Sequence, residues 1–135
     1  MRVVIDTNVL ISATFWPGKP KQLLNQVRRG EIDFLTSEIL LVELKEVLTT
    51  EDKPFKLSEE EAQHVLAAVL DIAEIVEPHS MIRRCRDEAD NRVLECAVDG
   101  QADWIITGDR DLLDLKSFGV IKIGTVAEFL RAVAP

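Results

Sequence analysis

Cysteine and histidine, the side chains that most often bind zinc, are scarce in this 135-residue sequence. It contains two cysteines, Cys85 and Cys96, and two histidines, His64 and His79. The cysteines match no zinc spacing, the histidines are too far apart for a typical site, and two cysteines make no disulfide framework. The sequence therefore argues against a zinc protein, and it favours a reducing compartment.

Apolar runs long enough for a membrane are also missing, and so is an excess of positive charge. No apolar segment approaches the ~20 residues that a bilayer span needs, and the N-terminus leads into a strand without a signal peptide. We therefore expect a cytoplasmic protein without a membrane partner. The 24 acidic and 16 basic side chains give a net charge of −8. This charge disfavours a general nucleic-acid coat protein but allows an enzyme whose acids lie together.

Short apolar runs rich in β-branched residues alternate with helical patterns along the chain. The alternation is typical of βαβ units, so it predicts an α/β fold with a mostly parallel sheet of about five strands and helices on both faces. Without a visible repeat or linker, the length suits one domain over residues 1–135. The predicted strands are Arg2–Asp6, Ile32–Thr36, Ala73–Val76, Trp104–Thr107 and Val120–Ile123. The predicted helices are Gln22–Arg29, Ser37–Leu48, Ala62–Ile72, Asp90–Val98 and Thr125–Val133, with Thr49–Leu57 as a loop.

Two aspartates directly follow predicted strands. Asp6 ends the first strand, and Asp109 follows the strand that ends at Thr107 by one glycine. Ligands of parallel sheets collect at the carboxyl ends of the strands, so we expect both side chains at one edge of the sheet. Each could instead cap the helix that follows, although Thr7 and Asn8 offer alternative caps after Asp6.

Two further acids occupy inward-facing positions of predicted helices. Glu43 lies beside Leu40 and Leu44 in an apolar stripe, where a buried carboxylate needs a partner unless the side chain bends out to water. Asp90 has the same inward spacing, or it stabilises its helix dipole with Asp87 as the N-cap. Asp111 starts a helix and could cap or bind, whereas Asp99, Asp103, Asp114 and Glu59–Glu61 are interpreted as solvated surface.

Carboxylates that share a pocket repel one another unless they share protons or hold a cation. The repulsion between two of them ~4 Å apart is about 4 kcal/mol at an effective dielectric near 20. Oxygen ligands without histidine or cysteine select Mg²⁺ or Mn²⁺. A pair of such ions suits phosphodiester hydrolysis, because one ion activates the attacking water and the other stabilises the leaving oxygen.

Four segments, in this order along the chain, resemble those of PIN domains. They are D-T-N-V-L-I-S from Asp6 to Ser12, L-L-V-E-L-K-E-V-L around Glu43, D-E-A-D-N from Asp87 to Asn91, and A-D-W-I-I-T-G-D-R-D-L-L from Ala102 to Leu113. More narrowly, the chain is similar to the small single-domain PIN proteins that are classed as toxins of toxin–antitoxin pairs. The resemblance implies a three-layer α/β/α fold and a ribonuclease that uses two Mg²⁺ or Mn²⁺ ions.

The resemblance also implies the site residues and the partners. It places the catalytic and metal-binding acids on Asp6, Glu43, Asp90 and Asp109, with Asp111 as an additional metal ligand. Supporting polar residues would be Asn8, Thr107, Ser12 and Asn91. Substrate phosphates need positive partners, for which Arg110, Arg83 and Arg86 are available, although each could instead be ordinary solvated surface. Relatives often have proline where this chain has Glu88, at the start of that helix. The partners implied are an RNA substrate, a second copy in a homodimer and, for toxin members, an antitoxin that blocks the acidic pocket.

Two other functions stay open as alternatives. A haloacid-dehalogenase-like phosphatase also has an aspartate after its first strand, but it needs a second aspartate at the position of Asn8, and it has no use for Glu43. A non-catalytic PIN-like module could bind RNA or protein without cleavage. Mutually repelling carboxylates argue against this second alternative, because a pure binding module gains nothing from them.

Overall fold

The structure is a computed structural model that describes residues 1–50 and 56–134. Within these residues, strands and helices alternate along most of the chain. The elements are β1 (Arg2–Ile5), α1 (Thr7–Phe15), α2 (Lys19–Arg28), β2 (Asp33–Ser37), α3 (Glu38–Thr49), α4 (Glu59–Ile72), β3 (Ala73–Val76), α5 (Glu88–Asp99), β4 (Trp104–Ile106), α6 (Arg110–Leu113), β5 (Ser117–Phe118), β6 (Ile121–Gly124) and α7 (Val126–Val133).

The strands form one sheet in the order β3-β2-β1-β4-β6-β5. Every neighbouring pair is parallel except β5 and β6, which are antiparallel. The prediction of a mostly parallel sheet is confirmed, and β5 adds a two-residue strand that is too short to show in an apolar pattern. The chain runs outward from β1 to β3 and returns to β4 on the other side of β1. This reversal opens a crevice at the carboxyl ends of β1 and β4, where parallel sheets bind their ligands.

Apolar cores cover both faces of the sheet and create three layers. Alternate residues of β1 point to opposite faces, so Val3 and Ile5 pack with α1, α2, α4 and α7, whereas Val4 packs with α5 and α6. Trp104 of β4 is buried and meets Phe129 of α7 edge to face with 5.4 Å between ring centroids. The α/β/α architecture that the resemblance implied is therefore confirmed.

Helix α1 is the main element that the sequence pattern did not reveal. Its residues Val9, Leu10 and Ile11 are consecutive and all buried, so the helix lacks the one-sided apolar stripe that identifies helices in a sequence. Asp6 is the N-cap of this helix, and its carboxylate accepts a hydrogen bond from the Thr7 backbone N–H at 2.8 Å. The alternative caps are therefore not used.

The other boundaries differ from prediction by a few residues. The loop expected over Thr49–Leu57 falls mostly on residues 51–55, which lie outside the described residues. Helix α4 begins at Glu59, three residues earlier than predicted, with a capping box formed by Ser58 and Glu61. Among residues 1–50 and 56–134, no helix is both long and apolar enough to cross a lipid bilayer.

Candidate functional site

The carboxyl ends of β1 and β4 are joined by a short chain of hydrogen bonds. Thr107 donates its hydroxyl proton to Asp6 Oδ2 at 2.7 Å. The same hydroxyl oxygen accepts a hydrogen bond from the Asp109 backbone N–H at 3.0 Å. Thr107 is buried, so it fixes the Asp6 carboxylate and the start of the loop after β4 relative to each other. The sequence predicted Thr107 as a supporting polar residue, and the structure places it between the two predicted acids.

Three acids from two different elements come together beside this link. Carboxylate oxygens of Asp90, Asp109 and Asp111 all lie within 4.8 Å of one another. Asp90 comes from the first turn of α5, whereas Asp109 caps α6 by accepting a hydrogen bond from the Asp111 backbone N–H at 2.8 Å. Asp90 is buried, Asp109 is half-buried and Asp111 is exposed, so the group opens towards solvent on the α6 side.

Asp90 is the most perturbed acid of the group. Its side chain is buried, and its Oδ2 has no hydrogen-bond partner among the described residues. Burial raises the pKa of Asp90 to about 7, and the neighbouring Asp109 carboxylate contributes to the shift. A buried carboxyl oxygen without a partner costs free energy in the absence of a cation or a proton.

Asp6 and Glu43 border the same group from β1 and α3. Burial raises the pKa of Asp6, although the hydrogen bonds from Thr107 and Thr7 oppose the shift. Burial also raises the pKa of Glu43, and the charge of Asp6 adds to this effect. Glu43 is half-buried beside the buried stripe of α3, so it lies at the edge of the stripe. The two acids are thus close enough to interact electrostatically.

Asp87 lies near these acids, although the sequence suggested it only as a helix cap. It does cap α5, because its carboxylate accepts a hydrogen bond from the Ala89 backbone N–H at 3.0 Å. Its charge also raises the pKa values of Asp6, Glu43 and Asp90. One signal was available: Asp87 precedes Asp90 by three residues, which puts both carboxylates at the same end of one helix.

Besides Thr107, the predicted supporting residues lie on α1 and α5. Asn8 and Ser12 lie one turn apart on α1, with Asn8 exposed and Ser12 half-buried. Asn91 is buried, and its amide is hydrogen-bonded to both backbone groups of Cys85, at 2.7 and 3.0 Å. Asn91 therefore anchors the segment before α5.

The arginines that were expected to meet phosphate are all exposed. Arg86 lies nearest to the acids, with its Nη2 3.5 Å from both carboxylate oxygens of Asp111. Arg110 is the first residue of α6 and separates Asp109 from Asp111 in the chain. Arg83 belongs to the same segment as Arg86. Arg86 therefore borders the acidic group on its solvent side.

The chain is similar to known proteins over most of its length. A family model described as PIN domain matches residues 2–111, a range that contains Asp6, Glu43, Asp87, Asp90, Asp109 and Asp111. The uncharacterized protein MJ1680 of Methanocaldococcus jannaschii is 35% identical over 118 residues, which cover 86% of this chain and 76% of that protein. A crystal structure of VapBC2 from Rickettsia felis bound to a DNA fragment from their promoter matches with a TM-score of 0.63 and 15% identity. That match covers 91% of this chain and 98% of the other, and it shows a shared fold.

Proposed function

Because the chain belongs to the PIN domain family, we propose that it is a metal-dependent ribonuclease that hydrolyses RNA phosphodiester bonds at the acidic site. The observation that carries this proposal is Asp90, which is buried with an unpartnered Oδ2 beside Asp109 and Asp111. A folded protein retains such an arrangement at a cost to its stability, which is typical of functional sites.

The donor atoms suit a hard divalent cation. Asp90, Asp109 and Asp111 offer carboxylate oxygens within 4.8 Å of one another, and the described residues place no histidine or cysteine among them. Mg²⁺ and Mn²⁺ prefer such ligands. A bound cation would give the Oδ2 atom of Asp90 the partner that it lacks among the described residues. Asp6 and Glu43 would complete the ligands of a second ion.

Bound ions would supply the chemistry of the cleavage, namely activation of water and stabilisation of the leaving oxygen. The protein's own residues would hold and orient the reacting groups. Thr107 keeps Asp6 and Asp109 in a fixed relation through its two hydrogen bonds. Glu43, whose pKa is raised, is suited to hold a water molecule or a proton at the edge of the site.

Protein partners form a further part of the proposal. The Rickettsia structure is described as VapBC2, and this supports an antitoxin partner for the present chain. The side chains of Ile39, Val42 and Ile75 form an exposed apolar strip on α3 and β3, which would suit a protein interface such as that of a homodimer. We also retain the expectation of a cytoplasmic location.

Cleavage of a labelled single-stranded RNA tests the proposal. We expect cleavage with Mn²⁺ or Mg²⁺, no cleavage with EDTA, and a rate at least about 100-fold lower in Asp6→Asn. Asp71→Asn is the matched control, because Asp71 is exposed on α4 and the same change there should alter the rate less than two-fold.

Three outcomes would contradict the proposal. Cleavage that persists in Asp6→Asn would place the chemistry elsewhere. Hydrolysis of a small phosphomonoester without cleavage of RNA would favour the phosphatase alternative. Binding of RNA without cleavage under every metal condition would favour a non-catalytic module.

A further inference from the structure

The segment that precedes α5 is fixed along that helix by side chains spaced four residues apart. We call Asn91, Glu95 and Asp99 the α5 ladder, and residues 79–86 the strap. The hydrogen bonds are Cys85 N to Asn91 Oδ1 at 2.7 Å, Asn91 Nδ2 to Cys85 O at 3.0 Å, Ile82 N to Glu95 Oε2 at 2.9 Å, Ser80 N to Asp99 Oδ2 at 2.7 Å and His79 N to Asp99 Oδ2 at 2.6 Å. Residues four apart share one face of a helix, so the strap runs antiparallel along α5.

The strap has an inner side and an outer side. Ile82 and Cys85 are partly buried and pack against the core beneath α5. Arg83 and Arg84 lie between these two residues in the chain, Arg86 follows Cys85, and all three arginines are exposed. With the backbone held by the ladder and two side chains anchored in the core, the three arginines are presented to solvent from one short segment.

The outer side of the strap continues into the acidic site. Arg84 and Arg86 line a shallow pocket together with Asp111 and Asp114. Arg86 Nη2 is 3.5 Å from Asp111, whose carboxylate is within 4.8 Å of Asp90 and Asp109. A polyanion that followed the strap would therefore reach the group of Asp90, Asp109 and Asp111 directly.

Arg83 and Arg84 have no carboxylate within 4.0 Å in the described part of the chain. The chain has eight more acidic than basic side chains, so the missing ion pairs do not reflect a shortage of carboxylates. The ladder acids accept hydrogen bonds from strap N–H groups instead of pairing with the strap arginines. The arginines are thus left available for an external anion.

Building on the proposed function, we propose that the strap is a phosphate-binding element that guides the backbone of single-stranded RNA to the acidic site. Guanidinium groups bind phosphate through two parallel hydrogen bonds, and three of them within four residues suit neighbouring phosphates of one strand. Because the ladder already orders the strap, binding would not have to order this backbone. The strap also explains how a chain of net charge −8 can attract a polyanion to an acidic pocket.

Binding measured without cleavage tests the strap directly. The assay is fluorescence anisotropy of a labelled single-stranded RNA with Mg²⁺ in an Asp90→Asn background, at several salt concentrations. The triple change Arg83→Gln, Arg84→Gln and Arg86→Gln should weaken binding at least about 10-fold. It should also reduce the slope of log K against log salt by about 2, because each lost phosphate contact on a single strand removes roughly 0.7.

A second triple variant removes the same charge at the opposite edge of the sheet. It combines Arg28→Gln, Arg29→Gln and Arg131→Gln, exposed residues at the C-terminal end of α2 or of α7. We expect less than a two-fold change in affinity and an unchanged salt slope. An equal effect of both triple variants, or no effect of the strap variant, would overturn the proposal.

The outcomes also separate this proposal from the nuclease function. If RNA is cleaved but the strap variant binds normally, the strap proposal alone is wrong. If RNA binds through the strap but is never cleaved by the unmodified protein, the nuclease proposal alone is wrong. Polyglutamate that binds as tightly as RNA and with the same dependence on the strap arginines would overturn the assignment to RNA in favour of an acidic protein.

The ladder provides a test that leaves every arginine in place. Asn91→Ala removes both hydrogen bonds to Cys85, so we expect faster amide exchange in the strap and about three-fold weaker RNA binding. Should Asn91→Ala fail to fold, Asp99→Ala releases the other end of the strap and takes its place in the assay. Faster exchange in the strap with unchanged RNA affinity would show that the ladder does not serve binding.

Discussion

Helix α5 has an aspartate near each end, and the protein treats the two in opposite ways. Asp90, in the first turn, is buried with an unpartnered oxygen, and burial raises its pKa to about 7. Asp99, the last residue, accepts hydrogen bonds from Ser80 N, Ser80 Oγ and His79 N at 2.6–2.7 Å. These hydrogen bonds lower the pKa of Asp99.

The helix dipole alone would give the reverse result. A carboxylate is stabilised at the N-terminus of a helix and destabilised at the C-terminus, by about 0.3–1 kcal/mol in each case. Burial beside Asp109 outweighs this effect at Asp90, and three hydrogen bonds outweigh it at Asp99. The hydrogen bonds of Asp99 stabilise its carboxylate, whereas the carboxylate of Asp90 is destabilised by burial and by Asp109 unless it binds a proton or a cation. The contrast between the two ends of α5 separates a structural acid from a proposed catalytic one.

The largest expected effect is on activity. Asp90→Asn removes a proposed metal ligand and should lower the rate of metal-dependent RNA cleavage at least about 100-fold. Asp99→Asn is the matched control, since an amide oxygen can still accept from the strap N–H groups and the amide can donate to Ser80 Oγ. Its rate should stay within two-fold of the unmodified protein. Equal losses in both variants would remove the functional distinction between the two ends of the helix.

Stability without metal should change in opposite directions at the two positions. In EDTA, Asp90→Asn relieves the repulsion with Asp109 and should stabilise the fold by about 1–3 kcal/mol. Asp99→Ala removes three hydrogen bonds and should destabilise the fold by about 1–2 kcal/mol. Thermal denaturation in EDTA measures both changes, with Tm shifts of roughly 3–10 °C of opposite sign. A lower Tm for Asp90→Asn would show that its carboxylate is satisfied by contacts within the protein.

The pH dependence of stability should also reflect the raised pKa of Asp90. The folded protein retains a proton on Asp90 at pH values where the unfolded chain, with a pKa of about 3.9, has lost it. The free energy of unfolding in EDTA should therefore decrease by roughly 2–3 kcal/mol between about pH 5 and pH 7.5. Urea denaturation at the two pH values measures it, and Asp90→Asn should reduce the decrease. Asp99, whose pKa is lowered, contributes a stabilisation that is lost only at more acidic pH.

The two ends of α5 also differ in how far the sequence predicted them. Asp90 was identified from its inward helical spacing and from the D-E-A-D-N segment, both of which are local patterns. Asp99 was interpreted as a solvated surface acid, and this was wrong. Its partners are backbone N–H groups of the strap, and no side-chain pattern encodes which helix face an irregular segment will cross. Local periodicity therefore predicted the acid with the proposed function and missed the acid that orders the strap.

The same limit applies to the fold. The alternation of apolar runs and helical patterns was sufficient for the parallel sheet, and the strand ends placed Asp6 and Asp109 at one edge. The interaction of Asp87 with Asp6 and Glu43 depends on how α5 packs near α3, which spacing along the chain does not determine. Helix α1 was missed because it is apolar on several sides. Contacts between elements, rather than the elements themselves, were the information that the sequence alone did not provide.

The smallest expected effect is at Glu95, between the two ends of α5. Glu95 is buried, accepts a hydrogen bond from Ile82 N and lies 2.9 Å from Arg92 Nε. Glu95→Gln keeps an oxygen for Ile82 and loses the ion pair, while Arg92 retains Glu88 at 3.4 Å and stays partly exposed. We therefore expect a loss of about 1 kcal/mol or less in urea denaturation and an unchanged rate of RNA cleavage. A loss of several kcal/mol would mean that the charge of Glu95, and not its hydrogen bond to the strap, holds this side of α5 together.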